Sequence, residues 1–257
     1  MEKITSKNNN LIKDTKKLFT SSKFRNENGL FVLEGARLCF DVLNSVYEVE
    51  NLFFTEDMLS KYADKINDLS QKSNKAYIIS SEISQKLSET KSPQGIFAVI
   101  KMQPNDNHIT GEKLIVLDNV QDPSNVGAII RSAEALGIDS IISYRGCDLY
   151  NPKAIRASMG SVLRMNVFQT DDLVLVLNDL KKDGYRIYST VPDRNATNIT
   201  DVDFTVKSAC VIGNEANGVE QEIKNCSDLL ITIPMLGRAE SLNASVAASI
   251  TMWEMLR

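Results

Sequence analysis

The 257-residue chain is poor in the residues that build several common kinds of site. It has one histidine, His108, and four scattered cysteines, Cys39, Cys147, Cys210 and Cys226, with no Cys-x-x-Cys pair. That excludes a disulfide scaffold and a Cys/His zinc centre, so no metal is expected. No apolar run approaches the roughly 18–20 residues of a membrane span, and the polar start MEKITSKNNN is no signal peptide. A soluble, cytoplasmic protein is expected, which makes the Asn-x-Ser/Thr triplets at Asn195, Asn198 and Asn243 chance matches. The chain also lacks a strong charge of one sign: the net charge is −4. Nucleic-acid contacts would therefore need a local patch. The first 30 residues supply one, with seven bases against three acids. Finally, no G-x-G-x-x-G follows a strand. Gly213 and Gly218 have the spacing of a phosphate loop, but Val219-Glu220 follow where Lys-Ser/Thr is needed.

What remains is globular usage, 43% hydrophobic and 24% charged. Leu11, Ile12, Thr15, Leu18 and Phe19 fall at helical spacing, and Ser21 to Arg25 interrupt that pattern. Short apolar runs at 30–33, 52–54, 76–79 and 96–100 then alternate with helical patterns at 36–46, 57–69 and 82–87, which indicates an α/β domain. Turn residues without an apolar anchor place a linker at 103–112, dividing the chain into domains 1–102 and 113–257. The second domain restarts the alternation. Leu114 to Leu117 read as a buried parallel strand, and Val126, Ile129, Ile130, Ala133 and Leu136 form one face of a helix that Gly137 ends. Further strands are expected at 140–143, 186–190, 209–212 and 229–233, with helices near 152–159, 172–183 and 241–256.

Three polar segments follow apolar strands. Asp118 to Gly127, with Arg131 beyond it, opens the first helix; Asp122, Ser124 or Asn125 could cap it. Spacing alone equally allows Asn125 a capping role and Arg131 a solvated face. Gly213 to Val219 form a Gly-flanked polar loop that lets a ligand approach the backbone, or a plain strand–helix turn. The third segment runs from Pro234 through Gly237 to Ser241-Leu242-Asn243, where Ser241 suits an N-cap for a helix rich in small residues.

In this order and spacing the three segments resemble the motifs of the SpoU (TrmH) branch of the SPOUT RNA methyltransferases. The resemblance covers residues 114–257. The first half, most closely at Phe31-Val32-Leu33-Glu34-Gly35, is similar to the smaller α/β, ribosomal-protein-like RNA-binding domain that precedes this catalytic domain. The resemblance implies an α/β catalytic domain with a C-terminal trefoil knot, S-adenosylmethionine as methyl donor, and a ribose 2′-hydroxyl of RNA, above all ribosomal RNA, as acceptor. It also implies a homodimer. A transfer-RNA substrate or a non-catalytic RNA-binding role stays open. By the same resemblance Asn125, Arg131, Glu215, Ser241 and Asn243 are the catalytic polar residues, and Gly213, Ile233, Met235 and Leu242, with Thr190, hold the cofactor. Arg131 is either a base or a cation that stabilises a nascent alkoxide, the second being physically easier. Substrate RNA is expected on the basic start, at Lys13, Lys16, Lys17, Lys23 and Arg25.

Overall fold

The structure, a computed structural model, describes residues 2–104 and 108–257. The expected linker falls in part on residues 105–107, outside the described residues. The chain divides into two compact units. One comprises the residues up to Gln103 together with Tyr150–Leu163; the other comprises Pro104–Leu149 and Arg164–Arg257.

In the first unit β1 (Glu2–Ile4), β2 (Leu30–Glu34), β3 (Val49–Phe54), β4 (Ser73–Ile79) and β5 (Ile96–Lys101) form a sheet in the order β1-β4-β3-β5-β2. The sheet is mixed: β4 is parallel to β1 and β3, whereas β5 runs antiparallel to β2 and β3. From the first stretch of the chain the helices α1 (Asn10–Thr20), α2 (Ser22–Asn28), α3 (Ala36–Asp41), α4 (Glu56–Lys61), α5 (Ala63–Lys72) and α6 (Ser81–Leu87) accompany it. Phe53 stacks on Tyr77, and Phe19 of α1 meets Phe97 edge-on, so the first helix seals this core. The segment 150–163 belongs here because Tyr150 stacks on Phe31, ring centroids 4.4 Å apart, and its hydroxyl lies 3.5 Å from that of Tyr47. The sequence reading places this segment with the second half. Aromatic stacking on a residue far away in sequence carries no local signal.

The interruption expected over Ser21–Arg25 is a single residue. Ser21 ends α1 and also caps α2, its hydroxyl accepting the Phe24 N–H at 3.1 Å. The consequence reaches the basic start. Because α2 begins at Ser22, Arg25 turns inward, 3% exposed, and donates to the Leu18 carbonyl at 2.7 Å. It is a structural residue and cannot meet a phosphate. Lys16 satisfies carbonyls at the end of α6, those of Leu87 and Ser88, and pairs with Glu89. Lys17 pairs with Asp14 and Lys23 with Glu27. Of the five cations, only Lys13 presents an exposed side chain without such a partner among the described residues.

The second unit is built on seven parallel strands, β6 (Lys113–Asp118), β7 (Ser140–Tyr144), β8 (Val167–Thr170), β9 (Arg186–Thr190), β10 (Thr197–Asn198), β11 (Ser208–Ile212) and β12 (Leu229–Thr232), ordered β10-β12-β9-β11-β6-β7-β8. Its helices are α7 (Pro123–Leu136), α9 (Leu173–Lys182), α10 (Gln221–Cys226) and α11 (Ala244–Leu256), while α8 (Pro152–Ser158) lies in the segment that joins the first unit. Every residue of β7 and β11 is buried, so Ala209 to Ile212 of β11 read as a continuous apolar run rather than an alternating one, and in β7 even Ser140 and Ser143 are covered. Leu173, Leu177 and Leu180 of α9 and Ile223 of α10 pack on Leu114, Val116, Ile142 and Val211 of the sheet. α11 packs instead on α7, β6 and β11. Residues 233–243 thus carry the chain from β12, beyond β9 in the sheet, back over β6 and β11. The short elements β1, β8, β10 and α10 have no counterpart in the sequence reading. Among the described residues no helix is long and apolar enough to cross a membrane.

Candidate active site

Starting from β6, the chain winds outward through β7 and β8, then crosses to the other side and fills β9 and β11. In such sheets a crevice opens outside the carboxyl ends of the strands where the winding reverses. Here those ends are Asp118 of β6 and Ile212 of β11. The loops that leave them hold most of the polar residues of interest.

The loop after β11 closes on itself. Asn214 and Gly218 exchange backbone hydrogen bonds of 3.0 and 2.9 Å, with Gly218 in the left-handed region at φ 68°. The Asn214 side chain accepts the N–H groups of Ala216 and Asn217 and donates to the Asn119 carbonyl, 2.9 Å away. Glu215 therefore sits at a fixed tip. Its carboxylate accepts the backbone N–H groups of Gln121 (3.1 Å) and Asp122 (3.0 Å) and the Asn125 amide (2.9 Å). Burial pushes this carboxyl up, but the hydrogen bonds from Asn125, Asp122 and Gln121 outweigh it and hold it below the ordinary value of 4.5. Arg131 is not among its partners.

Asp122 caps α7, accepting from Ser124 and Asn125 N–H, with Pro123 at the first helical position. Asn125 is then free to bridge. Its amide donates to Glu215, and its oxygen accepts from the Asn243 amide at 3.0 Å. Asn243, not Ser241, is the N-cap of α11, its oxygen taking the N–H of Ser245 and Val246. Ser241 lies two residues before that cap and is exposed. The three motif segments are thus joined side chain to side chain, Glu215 to Asn125 to Asn243. Two residues that the sequence reading passes over support them. Gln121 supplies a donor to Glu215, and buried Asp118 accepts the Glu220 N–H at 2.7 Å while its other oxygen has no partner among the described residues. Burial accordingly pushes the Asp118 carboxyl up, against the opposing Glu220 hydrogen bond. A lone acid closing an apolar strand is the signal that could have found it.

Next to this network is a cavity of about 380 Å³, lined by Thr190, Ile212, Gly213, Glu215, Ile233, Met235, Ser241, Leu242 and Asn243 among others. Its walls combine apolar side chains, small residues and backbone with a few polar groups, the composition of a small-molecule site. All five residues expected to hold the cofactor are there, although Thr190 commits its hydroxyl to the Val211 carbonyl at 2.8 Å. The structure does not bring Arg131 to this wall. It is exposed on α7, and none of its side-chain atoms bonds within the described residues. Among the described residues no three His, Cys, Asp or Glu side chains gather as a metal cluster would.

One prediction follows from the Glu215 carboxylate. Its stabilisation is present above the ordinary carboxylate range and is lost as pH falls through its lowered value. Glu215→Gln, which also turns an amide NH2 towards N–H donors, is expected to melt below the wild type at pH 7, with the gap closing below about pH 4.5. Thermal melts across that range test this; a gap that stays constant contradicts it.

Residues 112–253 match the SpoU rRNA Methylase family, and residues 9–98 match the MRM3-like substrate binding domain. The chain is similar to the 23S rRNA (guanosine(2553)-2′-O)-methyltransferase RlmP of Bacillus subtilis, 32% identical over 99% of both proteins. Among solved structures it is similar to an AdoMet-bound rRNA methyltransferase from Sinorhizobium meliloti (TM-score 0.87, 26% identity, 99% of this chain and 97% of that one). It is also similar to the SpoU methyltransferase AviRb from Streptomyces viridochromogenes in complex with AdoMet (TM-score 0.85, 25% identity, 96% and 97%).

Proposed function

The chain belongs to the SpoU rRNA methylase family, and on that footing we propose that it methylates a ribose 2′-hydroxyl of ribosomal RNA of the 23S kind, acting as a cytoplasmic homodimer. The enzyme is an RNA 2′-O-methyltransferase whose donor is S-adenosylmethionine. The single observation that carries the site assignment is the Glu215–Asn125–Asn243 chain of hydrogen bonds along the rim of the cavity.

The residues present fit that cofactor. Ile212, Ile233, Met235 and Leu242 offer an apolar slot for a flat base, and the exposed Ser241 offers a hydroxyl beside it. Bound S-adenosylmethionine supplies a methyl group activated on a sulfonium, chemistry that calls for placement of the acceptor oxygen above all. The protein's part is to hold the walls still. Glu215 pins the loop after β6 to the loop after β11, and Asn125 pins both to the start of α11. With its lone pairs engaged by three donors and its carboxyl held below the usual range, Glu215 is a positioning residue and a poor base. Arg131 presents a guanidinium, a charge and fork of donors rather than a base, to orient an RNA phosphate and stabilise the developing alkoxide.

The dimer rests on α11. Ala244, Ala248, Met252 and Met255 are buried, yet Val246 and Trp253 on the same helix are 45% and 60% exposed. A helix apolar all round has a second surface to cover. Trp253→Glu is therefore expected to halve the mass measured by sedimentation and to lower methylation; an unchanged mass would refute this interface.

The function is tested by incubating the protein with S-adenosylmethionine and in-vitro-transcribed 23S-type rRNA or tRNA, then mapping ribose methylation. A 2′-O-methyl group on the ribosomal transcript is the expected product. Methylation of tRNA alone would overturn the substrate assignment.

A further inference from the structure

We propose that Arg145 is a substrate-contacting residue of this same site, its guanidinium taking a backbone phosphate of the RNA beside the acceptor nucleotide. The inference rests on the methyltransferase reading and extends it to a residue outside the three motif segments. Arg145 follows β7 directly, at the carboxyl edge of the sheet where the β6 loop emerges. Its φ is +49°, in the left-handed region that a residue with a long side chain rarely adopts. Asn119, its counterpart after β6, has φ +57°, but asparagine tolerates that conformation and arginine gains nothing from it.

The neighbourhood holds the strained backbone in place. The Asn119 N–H donates to the Tyr144 carbonyl and the Cys147 N–H to the Val120 carbonyl, each at 2.9 Å. The Gln121 amide donates to the Arg145 carbonyl at 3.0 Å. Gly146 is packed so closely that a Cβ would lie 2.8 Å from the Val120 carbonyl oxygen. A glycine at 145 would fit this junction without strain. An arginine kept there at a cost is the pattern of a functional side chain.

That side chain is presented rather than consumed. Arg145 is exposed, and its guanidinium lies over the Tyr144 ring, 4.6 Å from the centroid. No carboxylate forms an ion pair with it among the described residues. Tyr144 is 7% exposed and so forms a fixed plate; stacking orients the planar fork while leaving its donors free for a bidentate phosphate. The position also selects the ligand. Gln121, whose side chain bonds the Arg145 carbonyl, donates its own N–H to Glu215, which places Arg145 two hydrogen bonds from the rim of the cavity. Arg145 is nevertheless absent from the cavity wall, so the cation serves the acceptor and not the cofactor.

The test is Arg145→Gly, which removes the side chain and relieves the backbone, with Arg145→Lys alongside. Affinity for in-vitro-transcribed 23S-type rRNA is measured by filter binding at several salt concentrations, S-adenosylmethionine affinity by calorimetry, and methylation at saturating cofactor. The glycine variant is expected to bind RNA about tenfold more weakly and to lose about one unit from the slope of log affinity against log salt. Its cofactor affinity and melting temperature should stay at or above wild type, and the lysine variant should keep the salt slope but recover only part of the affinity. Unchanged RNA affinity and slope in the glycine variant, or a loss matched by a fall in cofactor affinity, would overturn the proposal. Failure of the wild type to methylate any RNA would instead overturn the functional reading, since RNA binding is scored separately.

Discussion

Arg131→Ala is expected to lower methylation by at least about a hundredfold, the scale on which removal of one positioned polar group from a transition state is felt. S-adenosylmethionine affinity should change by no more than about twofold, so that the loss falls on the acceptor side of the reaction. The structure sharpens this separation. Arg131 lines no part of the cavity and bonds to none of Glu215, Asn125 or Asn243, so its truncation leaves the hydrogen-bonded rim intact. An exposed helical arginine replaced by alanine also costs little stability. Melting temperature, cofactor titration and single-turnover methylation together isolate the effect. Arg131→Lys keeps the charge and loses the fork; a large residual defect there shows that bidentate geometry matters. Full activity in the alanine variant would remove Arg131 from the mechanism and leave the fold assignment untouched.

Gly213→Ala is expected to abolish measurable cofactor binding. A Cβ on Gly213 would lie 2.2 Å from the Gly218 carbonyl carbon and from the Val219 nitrogen. Both contacts are backbone, and no side chain can swing away. The sequence reading explains this glycine by space left for the cofactor, whereas here the loop itself fills the space. To admit the methyl group, the self-closed turn from Asn214 to Gly218 must open, which moves Glu215 away from Gln121, Asp122 and Asn125. Overpacking of this kind costs about 1–3 kcal/mol or more, which should lower the melting temperature by several degrees. Calorimetry with S-adenosylmethionine and a thermal melt are the two readouts. Wild-type affinity with an unchanged melt would show that the loop is far softer than its contacts indicate.

Legibility followed the range of the forces. The buried strands declared themselves because Leu114 to Leu117 and Ala209 to Ile212 are covered on both faces and leave no polar alternation. The α7 cap was narrowed to three residues, one of which, Asp122, is the true one. At α11 the sequence pointed to Ser241 as the cap, and the structure places Asn243 there instead. Asn243 is held by Asn125, 118 positions away, so its oxygen meets the first turn of the helix. The partners of Glu215 were illegible for the same reason, lying 90 to 94 residues earlier and being mostly backbone N–H groups that no residue type advertises. Arg25 shows the opposite failure. Its charge suggested an RNA contact, while the one-residue break at Ser21 that turns it inward left only a weak trace.

The membership of residues 150–163 in the first unit bears on how relatives of this protein can be recombined. A chimera cut at the apparent linker would carry Phe31 and Tyr47 from one parent and Tyr150 from the other. An aromatic cluster assembled from two parents must match in ring size and angle to pack at interior density. Exchanges that transplant 2–104 alone should therefore express poorly, and those that carry 150–163 along with it should fold. In evolutionary terms, the unit of exchange is then discontinuous in sequence, the first stretch inherited together with 150–163.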